Sequence, residues 1–88
     1  MTKREKYYNH IVDDIVKKTP IGEDGTTKCP FLPSPLSLSL SHFRHRTPPH
    51  PTVIIYFREY VERMYGVNED EVEIIWTLYR EGILNNEQ

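Results

Sequence analysis

The side chains with the clearest ligand chemistry are Cys29, His42, His45 and His50, spaced Cys-x12-His-x2-His-x4-His. One thiolate and three neutral imidazoles make a four-donor set of the kind that holds structural zinc, so these four are the candidate metal ligands. Solvated loop histidines are the competing reading, and a domain without any cofactor is the expectation. The same stretch holds the basic run His42-Phe43-Arg44-His45-Arg46, to which Lys28 can add a charge. A ring between guanidinium groups can stack on a base while the cations hold phosphate, which makes Phe43, Arg44 and Arg46 the candidate contacts to a single-stranded nucleic acid. Two arginines are few for that task, and a solvated loop accounts for them better.

Catalytic chemistry is thinly represented. His10 and Asp14 stand one helical turn apart, and Glu59 with Glu62 or Glu69 with Glu73 form carboxylate pairs. No serine or cysteine nucleophile stands beside them, and amphipathic helices carry such pairs on their wet faces. There is no glycine-rich phosphate loop, Cys-x-x-Cys or Gly-x-Ser-x-Gly. A non-enzymatic protein is the expectation.

The elements that must position these residues are legible from periodicity. Tyr8, Ile11, Val12 and Ile15 recur at helical spacing, predicting a first helix from Lys3 to Lys18 with Tyr7 and Val16 widening its stripe. Thr2 and Glu5 have capping-box spacing, and Pro20 disfavours helix at Thr19. All seven prolines then fall within residues 20–51, where no acid follows Asp24. Leu36, Leu38 and Leu40 alternate with serines, which suits either a short edge strand or extended polyproline-like chain. A spliced or frame-shifted insert would give the same composition and carry no functional residue.

Thr52 is placed to cap a helix ending near Tyr65, with Val53, Phe57, Tyr60, Val61 and Met64 on one face, although Val53 to Phe57 could also begin as strand. Gly66 offers a left-handed stop, and Asn68 with Glu71 caps a last helix whose stripe is Val72, Ile75, Trp76 and Tyr79. Gly82 before Ile83 predicts its end.

The turn Tyr65-Gly66-Val67-Asn68, with Val61, Tyr65, Val67, Val72 and Ile75 around its glycine, resembles the centre of a helix-turn-helix DNA-binding unit over about 20 residues. Two features depart from that pattern. Glu62 stands where a small residue is usual, and Glu69, Asp70, Glu71 and Glu73 occupy the positions that would enter a major groove. The histidine segment likewise resembles half of a zinc finger lacking its first cysteine.

Charge reinforces the same preference. The 88 residues carry a net charge of -2, but residues 53–88 hold eight acids against three arginines. An acidic surface suits a basic protein better than a duplex. No apolar run reaches membrane-spanning length and the Met-Thr-Lys-Arg start does not read as a secretory leader, so a soluble, cytoplasmic protein is expected.

These observations predict a mainly α, single small domain over residues 1–88. A helix (1–19) and a helical hairpin (52–88) form a three-helix core, with a Pro/Ser/His-rich connector (20–51) wrapped outside. The expected function is that of a small protein-binding or accessory protein that meets another protein or a second copy. Its candidate contacts are Leu36, Leu38, Leu40, Tyr56, Tyr60, Glu69, Asp70, Glu73, Trp76 and Tyr79, with core packing as the competing role for each. The alternatives are a nucleic-acid-binding regulator and a zinc-stabilised domain.

Overall fold

In the computed structural model, residues 3–33, 35–45 and 50–85 are described, His45 by its backbone alone. Helix α1 (Lys3–Lys17) is followed by the short strands β1 (Thr26–Thr27) and β2 (Leu38–Ser39), then α2 (Leu40–His45), α3 (Pro51–Tyr65) and α4 (Glu69–Asn85). The described chain is mainly helical, as the periodicity predicts. Helix α4 is the central element, packing against α1, α2 and α3. Its sequence accounts for that position, because Val72, Ile75, Trp76, Tyr79 and Ile83 bury a wide arc rather than a narrow seam. No described helix is long and apolar enough to cross a membrane.

The connector departs most from expectation. It does not wrap the outside: it sends Cys29, Phe31, Leu38 and Phe43 into the core, with Phe43 fully buried. Three helical stripes enclose too little apolar surface for a chain of this length, and the connector's rings supply the remainder. Strands β1 and β2 pair antiparallel, Thr27 opposite Leu38 and Thr26 opposite Ser39, while Ile21 bridges to Thr27. The Leu-Ser alternation is therefore strand only at Leu38 and Ser39, after which the chain turns helical. Arg80 donates to the Arg44 carbonyl at 3.1 Å, satisfying an acceptor at the end of α2.

Other boundaries show which local signals prevail. Helix α3 begins at Pro51 and is capped by His50, whose Nδ1 accepts from the Thr52 backbone N–H at 3.2 Å, so His50 takes the role expected of Thr52. Proline at a first helical position gives up no hydrogen bond and is already at helical φ, which draws the start back and makes Val53 to Phe57 helical. Gly66 closes α3 in the left-handed region (φ 66°), its N–H donating to the Glu62 carbonyl. At the start of α4 the Asn68 N–H donates to Glu71 Oε1 at 3.1 Å, with Val67 and Val72 buried on either side of the cap. The proposed cap at Thr2 lies outside the described residues.

Gly82 does not end α4, which continues to Asn85. A Cβ there would lie 3.1 Å from Val16 Cγ2 and 3.6 Å from Val12 Cγ1, so the glycine marks close approach of α1 rather than a stop. Gly82→Ala should leave stability within about 1 kcal/mol, the gain in helix propensity offsetting the tight contact. Gly82→Leu should lower it by roughly 1–3 kcal/mol through overpacking, read from urea unfolding midpoints.

Candidate functional site

Helix α3 has two apolar faces, and only one of them is closed. Phe57 and Val61 are buried against α4, whereas Tyr56 and Tyr60 are half-buried and Met64 is 54% exposed. These three recur every fourth residue and form one stripe. Beside them runs Pro30-Phe31-Leu32-Pro33, fixed because the Phe31 ring enters the core edge-on to Phe57 at 5.1 Å. The Leu32 N–H donates to the Cys29 carbonyl at 3.2 Å, turning the segment back alongside α3. Between the two lies a groove of about 410 Å³, with Glu59 and Arg63 also in its lining. That volume falls within the range of small-ligand sites, about 300–1,000 Å³.

The other expected contacts divide sharply. Trp76 and Tyr79 are core residues rather than surface anchors, and Leu38 is buried with them. Leu36 is exposed and lines a smaller depression of about 270 Å³ together with Cys29 and Leu32. Leu40 is half-buried. Glu69, Asp70 and Glu73 do face outward, lining a third concavity with Ile54, Arg58 and Val72. Arg58 spans it, 3.5 Å from Glu69 and 3.9 Å from Glu62.

Glu71 behaves unlike its neighbours. It is buried, accepts from the Tyr8 hydroxyl and lies 3.4 Å from Arg4, so the acidic face of α4 has three outward carboxylates and one turned toward α1.

The metal and nucleic-acid candidates are not assembled as the spacing suggested. Cys29 is a buried free thiol, His42 Nδ1 lies 3.2 Å from the Ser39 hydroxyl, and His50 serves as the α3 cap. The His45 side chain lies outside the described set. Among the described residues no three His, Cys, Asp or Glu side chains gather to hold a metal ion. Phe43 is stacked on Trp76 at 5.7 Å inside the core, so it presents no ring to a base. Arg44 is exposed, and Arg46 lies outside the described residues.

Two tyrosine–carboxylate contacts clasp α1 to the turn between α3 and α4. Tyr8 donates to Glu71, Tyr65 donates to Asp14, and Tyr7 adds a bond to the Tyr65 carbonyl. The Tyr8 hydrogen bond, with the Asn68 N–H and Arg4 behind it, holds the Glu71 carboxyl below its ordinary pKa. Tyr65 and then Lys18 do the same for Asp14. The Tyr8 phenol is pushed up chiefly by its bond to Glu71, and that of Tyr65 chiefly by burial. Each pair is thus split away from neutrality, the opposite of the tuning that acid–base catalysis requires. Burial also pushes the Cys29 thiol up, which disfavours the nucleophilic thiolate.

Sequence reasoning missed the proline-bracketed wall and Arg63, and read Glu59 only as half of a carboxylate pair. The available signal was the second face of α3, where Tyr56, Glu59, Tyr60, Arg63 and Met64 follow at i, i+3, i+4, i+7 and i+8. Reading Tyr60 and Met64 into the core stripe concealed it. No protein-family model, curated protein or solved structure matches the chain, so its function must be argued from this geometry.

The clasps give stability a definite pH dependence. Carboxyls whose pKa is lowered by folding stabilise the native state above the unfolded value, and that contribution is lost as pH falls through the folded value. Urea midpoints should therefore drop as pH falls from about 4, the ordinary carboxylate pKa, to about 2. Glu71→Gln and Asp14→Asn should each lower stability at neutral pH and make that drop less steep. The raised phenols act in the other direction, their contribution being lost as pH rises beyond about 10.

Proposed function

We propose that this chain is a small non-enzymatic binding domain, and that the groove of Tyr56, Tyr60 and Met64 holds a segment of another protein. The observation that carries this reading is a half-buried tyrosine pair continued by an exposed methionine along a rigid wall. Tyrosine contributes large contact area with a polar tip at low entropic cost, and methionine adapts to irregular surfaces. The floor is preorganised, since Phe31 and Tyr60 are held by ring contacts to each other and to Phe57 and Tyr65.

The outward Glu69, Asp70 and Glu73 favour a basic protein surface and oppose phosphate, which weakens the nucleic-acid alternative. Burial of Phe43 weakens it further. A cytoplasmic setting suits a domain whose single cysteine is a free thiol.

The test is comparative capture of proteins from the source cells. Met64→Glu and Tyr60→Ala should each remove a partner that the parent chain and Ile74→Glu both retain, Ile74 being an exposed α4 residue absent from the groove lining. Equal capture by all four chains would refute the groove as the binding surface.

A further inference from the structure

Two exposed stripes of opposite charge lie on different helices. On α1, Lys3, Lys6, His10, Asp13 and Lys17 recur at i, i+3, i+7, i+10 and i+14, all exposed and opposite the buried stripe of that helix. On α4, Asp70, Glu73, Ile74, Thr77 and Glu81 recur at i, i+3, i+4, i+7 and i+11, again exposed and opposite the core side. The ion pairs among the described residues, Arg4–Glu71, Lys18–Asp14 and Arg58 with Glu62 and Glu69, leave out every lysine and carboxylate of both stripes.

We infer that these stripes meet between two copies, α1 of one chain lying along α4 of another. The contact is separate from the groove and does not rest on the role proposed for it. A single chain cannot make it alone. Its own α1 and α4 already face each other, through Tyr8 on Glu71 and through Val12 and Val16 over Gly82, which leaves both charged stripes pointing outward.

Spacing favours a second copy over an arbitrary basic partner. Lys6 and Lys17 are eleven residues apart, as are Asp70 and Glu81. Eleven residues span about 16 Å and close on three whole turns, so each pair sits on one line along its helix. With the two helices side by side and running the same way, Lys6 meets Asp70 and Lys17 meets Glu81. In that register His10 covers Ile74, which is 48% exposed in the single chain, and Asp13 falls against Thr77 rather than a carboxylate. Running the helices in opposite directions keeps two end pairs but sets Asp13 against Ile74, beside Glu73 and within a turn of Asp70. Like charges there oppose docking, so charge selects the parallel register. Exposed pairs of this kind are weak singly, which makes the association transient and sensitive to salt.

Sedimentation equilibrium of the full chain from about 20 μM to about 1 mM tests the inference. Mass should rise with concentration in about 0.01 M sodium chloride and not in about 1 M, the screening length falling from about 30 Å to about 3 Å. Lys17→Glu and Glu81→Lys, both at exposed positions, should each weaken the association about tenfold. An equimolar mixture of the two variants should recover it, because the chain that keeps Lys17 still meets the chain that keeps Glu81. One chain carrying both changes should recover to within about threefold, its pair reversed, whereas Lys17→Glu with Asp70→Lys should not.

No rise in mass at low salt, a rise indifferent to salt, or single reversals without effect would overturn the inference. So would failure of both the mixture and the reversed pair to recover. Recovery by Lys17→Glu with Asp70→Lys would overturn the parallel register, since only opposed helices bring those two positions together. Dissociation by Met64→Glu would instead place the second copy in the groove. Partner capture through the groove is a separate readout, so that reading survives each of the other failures.

Discussion

The connector and helices α2, α3 and α4 meet at the Tyr79 side chain. Its ring lies 5.7 to 5.8 Å from those of Phe31, Phe43, Phe57 and Trp76, which come from the connector, α2, α3 and α4 itself. Its hydroxyl reaches Thr19 at 2.9 Å and Cys29 at 3.5 Å. A phenol buried at this depth must find hydrogen-bond partners or forfeit the stability its ring contributes. Thr19 already donates to the Ile15 carbonyl, and Thr27 to that of Leu38, so the Cys29 thiol is left to donate toward Thr27. The end of α1, the small sheet and the centre of α4 are thereby joined through groups that have no water to turn to. Burial accordingly pushes the Tyr79 phenol far up, with Cys29 adding to the effect.

This hub explains why the connector is part of the core. Pro30 and Pro33 bracket Phe31 and limit the backbone freedom lost when its ring is placed. On the other side of the sheet, α2 has only six residues and would not persist alone, but Phe43 stacked on Trp76 gives it tertiary support. Trp76 Nε1 has no hydrogen-bond partner in that cluster, so its ring contributes by shape and area, with a buried donor as the cost.

How far the fold was legible follows from the range of the interactions concerned. Helix stripes such as Tyr8, Ile11, Val12 and Ile15 are local, and all four are buried where periodicity puts them. The Gly66 stop and the Glu71 half of the Asn68–Glu71 capping box are also short-range and stand as read. Gly82 misleads because close helix approach and a C-terminal stop ask for the same residue, and only the position of Val16 distinguishes them. Phe31 and Phe43 gave no periodic signal, since each is a single long-range anchor in a segment whose composition reads as loop. For the same reason the aromatic residues Trp76 and Tyr79 suit an interface or a core equally well until the rings that surround them are known.

The site inherits its character from this division of rings. With Phe31, Phe43, Phe57, Trp76 and Tyr79 drawn inward, α3 has more aromatic surface than the core absorbs, and Tyr56 and Tyr60 remain half in solvent. Phe31 belongs to both arrangements: its ring packs on Phe57, Trp76 and Tyr79, and its own segment walls the groove. A groove built on a core side chain is as rigid as the core beneath it, so little ordering is left for a ligand to impose. Mobility there would require Phe31 to leave the hub and expose four rings to water. The groove and the folded state therefore rest on the same packing.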